Sequence, residues 1–265
     1  MSSSQPPDRN THQRGASSHG SGGDTVRPGH PGLKRLLQEG RMGQCTLAPA
    51  GSNYTFLTRL ELDGQRCRVV YKPREGEAPL WDFPDGTLYR REYAAYLLSL
   101  ALGWEFVPPT VIRDGAHGVG SVQLFIQPEP GSNYFSVRQT HTADVRRMAV
   151  FDFLANNADR KAGHCFLGTD GHVWGIDHGL TFHHLPKLRT VIWDFAGEPI
   201  PEPLLRDVAK LCETLARPGS DLERDLRGLL APEEVEALAK RMEEALATPR
   251  FPVPRGYRDV PWPWV

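Results

Sequence analysis

Four charged residues stand where phosphoryl transfer needs them. Lys72 closes a β-rich run in VVYKP, and Glu92 lies in a helix-like segment, RREYAAY. Asp159 follows a second helical run in NNADRKAGH, and Asp177 ends a short apolar run in GIDHG. Moving a phosphoryl group calls for a strand lysine against nucleotide phosphates and a helix carboxylate to hold that lysine. It also calls for one aspartate to orient the attacking hydroxyl and another to hold Mg²⁺. Taken singly, each residue has an ordinary alternative: a solvated edge lysine, a surface glutamate, a turn-capping Asx, a strand-ending aspartate. Their joint occurrence, in this order and at the right strand ends, carries the argument.

The elements around them are legible from periodicity and turn residues. Leu33, Leu36 and Leu37 share one face of a helix over 33–39. Two β-rich runs, 54–62 and 66–72, flank Asp63-Gly64, a strong hairpin signal. A Pro/Gly-containing stretch leads to a helix over 87–102, which carries Glu92. Strands are expected over 107–113 and 121–127 around a Gly-rich turn, 114–120. Its Gly115, Gly118 and Gly120 lie between two strands, not between strand and helix, so they do not read as a dinucleotide loop. After the linker-like PEPG at 128–131, Thr142 is placed to cap a helix running to about residue 156. A second hairpin follows, 165–167 with 173–176 around Thr169-Asp170-Gly171. Leu204, Leu205, Val208, Leu211 and Leu215 fit one amphipathic helix; Ser220 or Asp221 caps the next, and Pro232 opens a third. The terminal PWPWV fits neither regular helix nor central strand. The chain thus divides into a disordered tail (1–32), a β-rich lobe (33–128) and a mostly helical lobe (129–265), with a ligand cleft between the lobes.

Composition narrows the function classes. The 31 Lys+Arg and 32 Asp+Glu give a net charge of −1, which argues against coating nucleic acid by bulk charge. Cysteines at 45, 67, 165 and 212 lack metal-ligand spacing and read as reduced thiols. With no signal-like apolar core and no long apolar stretch, the expectation is a cytoplasmic monomer without a membrane span.

The run NNADRKAGHCFLGTDGHVWGIDHGLTF resembles the catalytic and metal-binding segment of the phosphatidylinositol 3- and 4-kinase superfamily, which takes in the HipA-type bacterial kinases. From about residue 43 to 246 the chain is similar to a bacterial family placed in that superfamily, through YKP, PLWDFPDGTLYRREYAAY, VPPT and the Asp-Arg loop. The resemblance implies an α+β, two-lobed protein-kinase-like fold that binds ATP and Mg²⁺. Lys72 would contact the α- and β-phosphates and Glu92 would hold Lys72. Asp159 would be the catalytic aspartate, with Asn157 and Arg160 supporting its loop, and Asp177 would bind Mg²⁺. Ser52 and Asn53 would lie in the phosphate-covering loop, and Phe125 and Gln127 near the adenine hinge.

Two positions depart from that pattern. Lys161 replaces the usual histidine, and His164 stands where an asparagine metal ligand is usual. Imidazole suits Mn²⁺ or softer metals better than Mg²⁺. His164 therefore leaves open either a kinase acting on a protein or small-molecule hydroxyl, or a nucleotide-binding pseudokinase that works as a regulatory module. A metal-dependent hydrolase is the third class, because five of the ten histidines (164, 172, 178, 183 and 184) cluster in sequence. Trp81, Phe83 and Tyr89 read as anchors of an ordered loop. Lys187 and Arg189 read either as a solvated loop or as contacts to an acidic or phosphorylated substrate.

Overall fold

The computed structural model describes residues 26–48 and 53–264. Helix α1 (Leu33–Glu39) buries Leu33, Leu36 and Leu37 as its spacing predicts. It lies on an antiparallel sheet ordered β1-β3-β4-β6-β5, in which β2 also pairs with β3. The strands are β1 (Arg41–Met42), β2 (Thr46–Leu47), β3 (Phe56–Leu62), β4 (Gln65–Pro73), β5 (Thr110–Gly115) and β6 (Gly118–Leu124). Asp63 and Gly64 turn β3 into β4 with φ of 50° and 77°, the left-handed pair that a two-residue hairpin demands.

The β5–β6 hairpin is tighter than expected. Gly115 pairs with Gly118, so the strands run to within two residues of the turn, whereas the glycines predicted a seven-residue loop. Gly120 has a packing reason instead. A Cβ there would lie 2.4 Å from the Lys72 carbonyl oxygen, so only glycine lets β6 press against β4 beside Lys72.

Helix α2 (Leu88–Ala101) buries residues on several sides, including Arg91, Glu92, Ala94, Ala95 and Leu98. It packs into the larger hydrophobic core, with α4 (Thr142–Leu154), α5 (Glu202–Ala216), α6 (Asp221–Leu229) and α7 (Pro232–Ala247). A short helix, α3 (Tyr134–Val137), precedes α4. The smaller core lies under the sheet and takes in Phe166 and Trp174 from the hairpin β7 (Cys165–Leu167) and β8 (Val173–Gly175). A boundary at residue 128 therefore divides the chain but not the cores: α2 belongs with the helices, and β7–β8 contributes Phe166 and Trp174 to the sheet's core but Cys165 and Val173 to the helical one. The tail boundary at 32 also shifts. Val26 is buried in the smaller core and donates its N–H to the Arg66 carbonyl, while residues 1–25 lie outside the described residues.

The helix signals in the last third agree with the fold. Ser220 caps α6 by accepting from the Glu223 N–H, and Pro232 occupies the first turn of α7. Thr142 is not a cap. His141 holds that position, and the Thr142 hydroxyl donates back to the Arg138 carbonyl. Among the described residues no helix is long and apolar enough to cross a membrane.

Candidate active site

A cleft of about 530 Å³ opens between the sheet and the helical core. Its walls combine apolar side chains, such as Leu57, Val70, Phe125 and Ile176, with Lys72, Glu92, Asp159, His164 and Asp177. That mixture and volume suit a small ligand with one flat apolar part and one charged part.

Lys72 stands at the centre of the charge. Its ammonium donates to Glu92 Oε1 and, at 2.8 Å, to Asp177 Oδ1. Burial works to lower the Lys72 pKa, but Asp177 and Glu92 overcome it and hold the ammonium charged. Lys72 in turn holds the Asp177 carboxyl far below the usual carboxylate range. Glu92 is fixed from the other side, where its Oε2 accepts the His178 N–H at 3.0 Å. The lysine, the helix glutamate and the aspartate come from β4, α2 and the segment after β8, so three separate elements converge as the sequence order required.

Asp177 has φ of 61°, and Asn156 and Phe182 are also left-handed, at 50° and 64°. Such conformations gather where surrounding structure holds a functional loop in place. The Asp177 side chain is 46% exposed and faces the cleft.

Asp159 also lines the cleft, and burial raises its pKa, which makes its carboxylate a better proton acceptor. Its N–H donates to Asn157 Oδ1 at 3.0 Å. Lys161, read from the sequence only as a departure, places its ammonium 3.3 Å from Asp159 Oδ2 and brings a second cation to the cleft. The Asp-x-Lys spacing was a signal for this contact.

Asn157 and Arg160 are fully buried and do not reach the cleft; they are positioning residues. Arg160 grips Asp152 with Nη2 (2.8 Å) and Nε (3.0 Å), and also bonds the carbonyls of His164 and Ile176. Its Nη2 meets His178 Nε2 at 2.8 Å, and burial drives the His178 pKa well below its ordinary value, so this imidazole is neutral. The Asn157 amide donates to the same Asp152. Asp152, inside α4, had no distinguishing sequence signal.

His164 reaches the site that its sequence position implied. Its Nδ1 lies 3.0 Å from the Asp159 carbonyl oxygen and 3.3 Å from the Lys161 N–H, contacts that call for opposite tautomers, and the shorter one assigns the proton to Nδ1. Nε2 then turns a lone pair toward Asp177 Oδ2, 3.3 Å away. Burial pushes the His164 pKa down to about 4, which keeps the ring neutral. Two facing lone pairs are a fit for a divalent cation. Among the described residues no group of three or more His, Cys, Asp or Glu forms a metal cage. Mg²⁺ is suited to one or two protein ligands completed by phosphate oxygens and water.

The remaining expectations divide. Phe125 lines the cleft under the guanidinium of Arg68, 4.5 Å from the ring centroid. Gln127 does not line it: the side chain is exposed and bonds Arg68. Asn53 lines the cleft, but its carboxamide is committed to the Ala78 N–H at 2.7 Å. Ser52 lies outside the described residues. Phe83 and Tyr89 are buried anchors, whereas Trp81 is 91% exposed. Lys187 is not solvated: it pairs with Asp82 at 2.7 Å and lies over the Trp81 ring. The histidines 172, 178, 183 and 184 do not converge with His164 on one centre.

A sheet flanked by one buried helix, a hinge into a helical core and a cleft carrying this lysine, glutamate and two aspartates define a protein-kinase-like fold of the α+β class. The chain is 42% identical over 263 residues to Protein Rv2133c of Mycobacterium tuberculosis (strain ATCC 25618 / H37Rv), covering 86% of this chain and 94% of that protein, and it belongs to the same family. The phosphatidylinositol 3- and 4-kinase family matches residues 114–229. Phosphatidylinositol 4-kinase gamma 4 of Oryza sativa subsp. japonica is 32% identical over 134 residues, 41% of this chain but only 23% of that protein. Among solved structures, the Golgi casein kinase with Mn/ADP bound superposes with a TM-score of 0.52 at 14% identity, over 82% of this chain and 74% of that one. At that identity the likeness is one of fold.

Proposed function

We propose that this protein is an ATP-dependent phosphotransferase that moves the γ-phosphoryl group to a hydroxyl on a protein or small molecule. The observation that carries the reading is Lys72 held between Glu92 and Asp177 in a cleft that also presents Asp159. Lys72 would meet the nucleotide phosphates, with Glu92 keeping its ammonium aimed. The adenine would lie between Val70 and Ile176 near Phe125. The Ile126 N–H there has no hydrogen-bond partner among the described residues and is placed to serve the base edge. Asp159 would accept the acceptor's hydroxyl proton, and Lys161 beside it would offset charge on the transferring group. Asp177 and His164 would hold Mg²⁺, or Mn²⁺, whose bound charge shields the phosphate oxygens. Kinship with HipA-type kinases is part of this reading and rests on the run NNADRKAGHCFLGTDGHVWGIDHGLTF.

A second reading has its own observation. Asp177 Oδ1 is already engaged by the Lys72 ammonium, at 2.8 Å. A chain that kept this arrangement with nucleotide bound would be a nucleotide-binding module without transfer.

The test incubates the protein with γ-labelled ATP and Mg²⁺ or Mn²⁺, alone and with lysate, beside Asp159→Ala and Asp177→Ala. Label transfer that needs both aspartates is the expected result. Nucleotide binding without transfer supports the module, and a folded protein that binds no nucleotide contradicts both.

A further inference from the structure

A second cavity, about 420 Å³, lies outside the nucleotide cleft and shares none of its lining residues. It is walled by the segment after Asp177, by α7 and by the chain near residues 252–259. Its charge is lopsided. Lys187, Arg189, Lys240, Arg241, Arg255 and Arg258 line it against only Glu244 and Asp259, in a chain whose net charge is −1. Asp259 is partly spent, since its Oδ2 accepts the backbone N–H groups of Arg255 and Gly256. Lys187 is committed to Asp82. Arg189, Lys240 and Arg255 are exposed, and their side chains make no ion pair among the described residues.

Arg241 is held differently. Its Nε donates to the Leu154 carbonyl at 2.7 Å, while Nη2 is buried with no hydrogen-bond partner among the described residues. Burial pushes its pKa down to about 10 although Glu244 and Glu234 act against that, so the carboxylates nearby offset only part of its desolvation. A buried, unpaired donor is costly, and an arriving anionic group would relieve it.

The cavity is tied to the catalytic loop. The Arg189 N–H donates to the Asn157 carbonyl, and the Arg160 N–H donates to the Arg189 carbonyl. Asn156, which lines the cavity, bonds the carbonyls of His183 and Leu185 and accepts the Lys187 N–H. The Arg189 charge also acts on the Asp159 carboxyl, so the cavity's rim lies within electrostatic reach of the proposed base.

We propose that this basic cavity is the acceptor's anion subsite, and that the acceptor carries a phosphate or comparable anionic group besides the hydroxyl that is phosphorylated. The assignment rests on the phosphotransferase reading, and it narrows the acceptor to a soluble anion of small-molecule size.

The test titrates inorganic pyrophosphate into the full chain already saturated with Mg²⁺ and a non-hydrolysable ATP analogue, followed by calorimetry. One equivalent should bind with the nucleotide cleft filled. Lys240→Glu with Arg255→Glu should weaken pyrophosphate at least about tenfold, because two charge contacts reverse sign. The ATP analogue's affinity should change less than about twofold, since neither residue lines the cleft. Both side chains are exposed, so the variant folds. In the γ-label assay with lysate, the same variant should lose most of its labelled product at saturating ATP. Pyrophosphate that binds only when the analogue is absent, or equally to the variant, would overturn the subsite, as would unchanged labelling. So would binding to phosphatidylserine vesicles, lost in the variant, without any binding of pyrophosphate. A wild-type chain that fails to bind the ATP analogue contradicts the phosphotransferase reading instead, and pyrophosphate binding is then scored separately.

Discussion

Two ion-pair networks lie on either side of the same catalytic loop, and they are built for opposite purposes. Arg160 and Asp152 are both 0% exposed, and every strong donor of the guanidinium has a fixed acceptor. Lys72 and Asp177 are 23% and 46% exposed, and both line the open cleft. The first network has no solvent to fall back on, so breaking it leaves an uncompensated buried charge. The second can exchange a protein partner for a ligand's phosphate or a cation. Charge that is sealed sets the shape of the loop; charge that opens to the cleft is the charge a ligand can reach. Glu92 joins the two regimes: it is nearly buried, yet it pairs with the exposed-facing Lys72 and accepts the N–H of His178, itself a neighbour of Arg160.

This contrast can be broken in a defined order. Arg160→Ala should produce the largest loss of stability, about 3–5 kcal/mol, because Asp152 is left buried and unpaired. Urea denaturation would read it, and a loss below about 1 kcal/mol would contradict the sealed role. Asp177→Ala should cut transfer by at least about 100-fold while changing the urea midpoint little, since its carboxylate is half open to solvent. Lys72→Met falls between: nucleotide affinity should drop about tenfold or more, and stability by about 1–3 kcal/mol as Glu92 loses its partner. Asn156→Ala removes three hydrogen bonds to the segment 183–187. It should speed amide exchange there at a cost of about 1–3 kcal/mol. The smallest effect is chemical. Burial pushes the Cys165 thiol up to about 12, so it should stay unmodified by a thiol reagent in the native chain while half-buried Cys45 and Cys212 react.

Most of the scaffold was legible because its signals are local. Asp63-Gly64 forces a left-handed turn, Ser220 offers a cap oxygen, and the leucines of α5 recur at helical spacing. The four charged residues of the cleft were legible for a related reason: Lys72 and Asp177 stand at or just past strand ends, Glu92 lies within α2 and Asp159 follows α4, and their order in the chain implies their place. What sequence could not show depends on partners distant in the chain. Asp152 looks like any helix aspartate until Arg160 and Asn157 fold onto it. The β5–β6 glycines looked like a loop because glycine is a turn former, yet Gly120 is required by the backbone of a neighbouring strand. Val26 lay in a polar stretch, yet it is buried in the core of the sheet. The basic cavity gathers residues from positions 187 to 258, so no window of sequence contains it.

The most direct test of the central claim is calorimetric titration of Mg·ATP into the wild-type chain, Lys72→Met and Asp177→Ala, with label transfer measured on the same samples. The account predicts one nucleotide site in the wild type, weakened about tenfold or more in Lys72→Met. Asp177→Ala should fold and lose transfer. A folded wild-type chain that takes up no nucleotide, or transfer that survives Asp177→Ala, would contradict it.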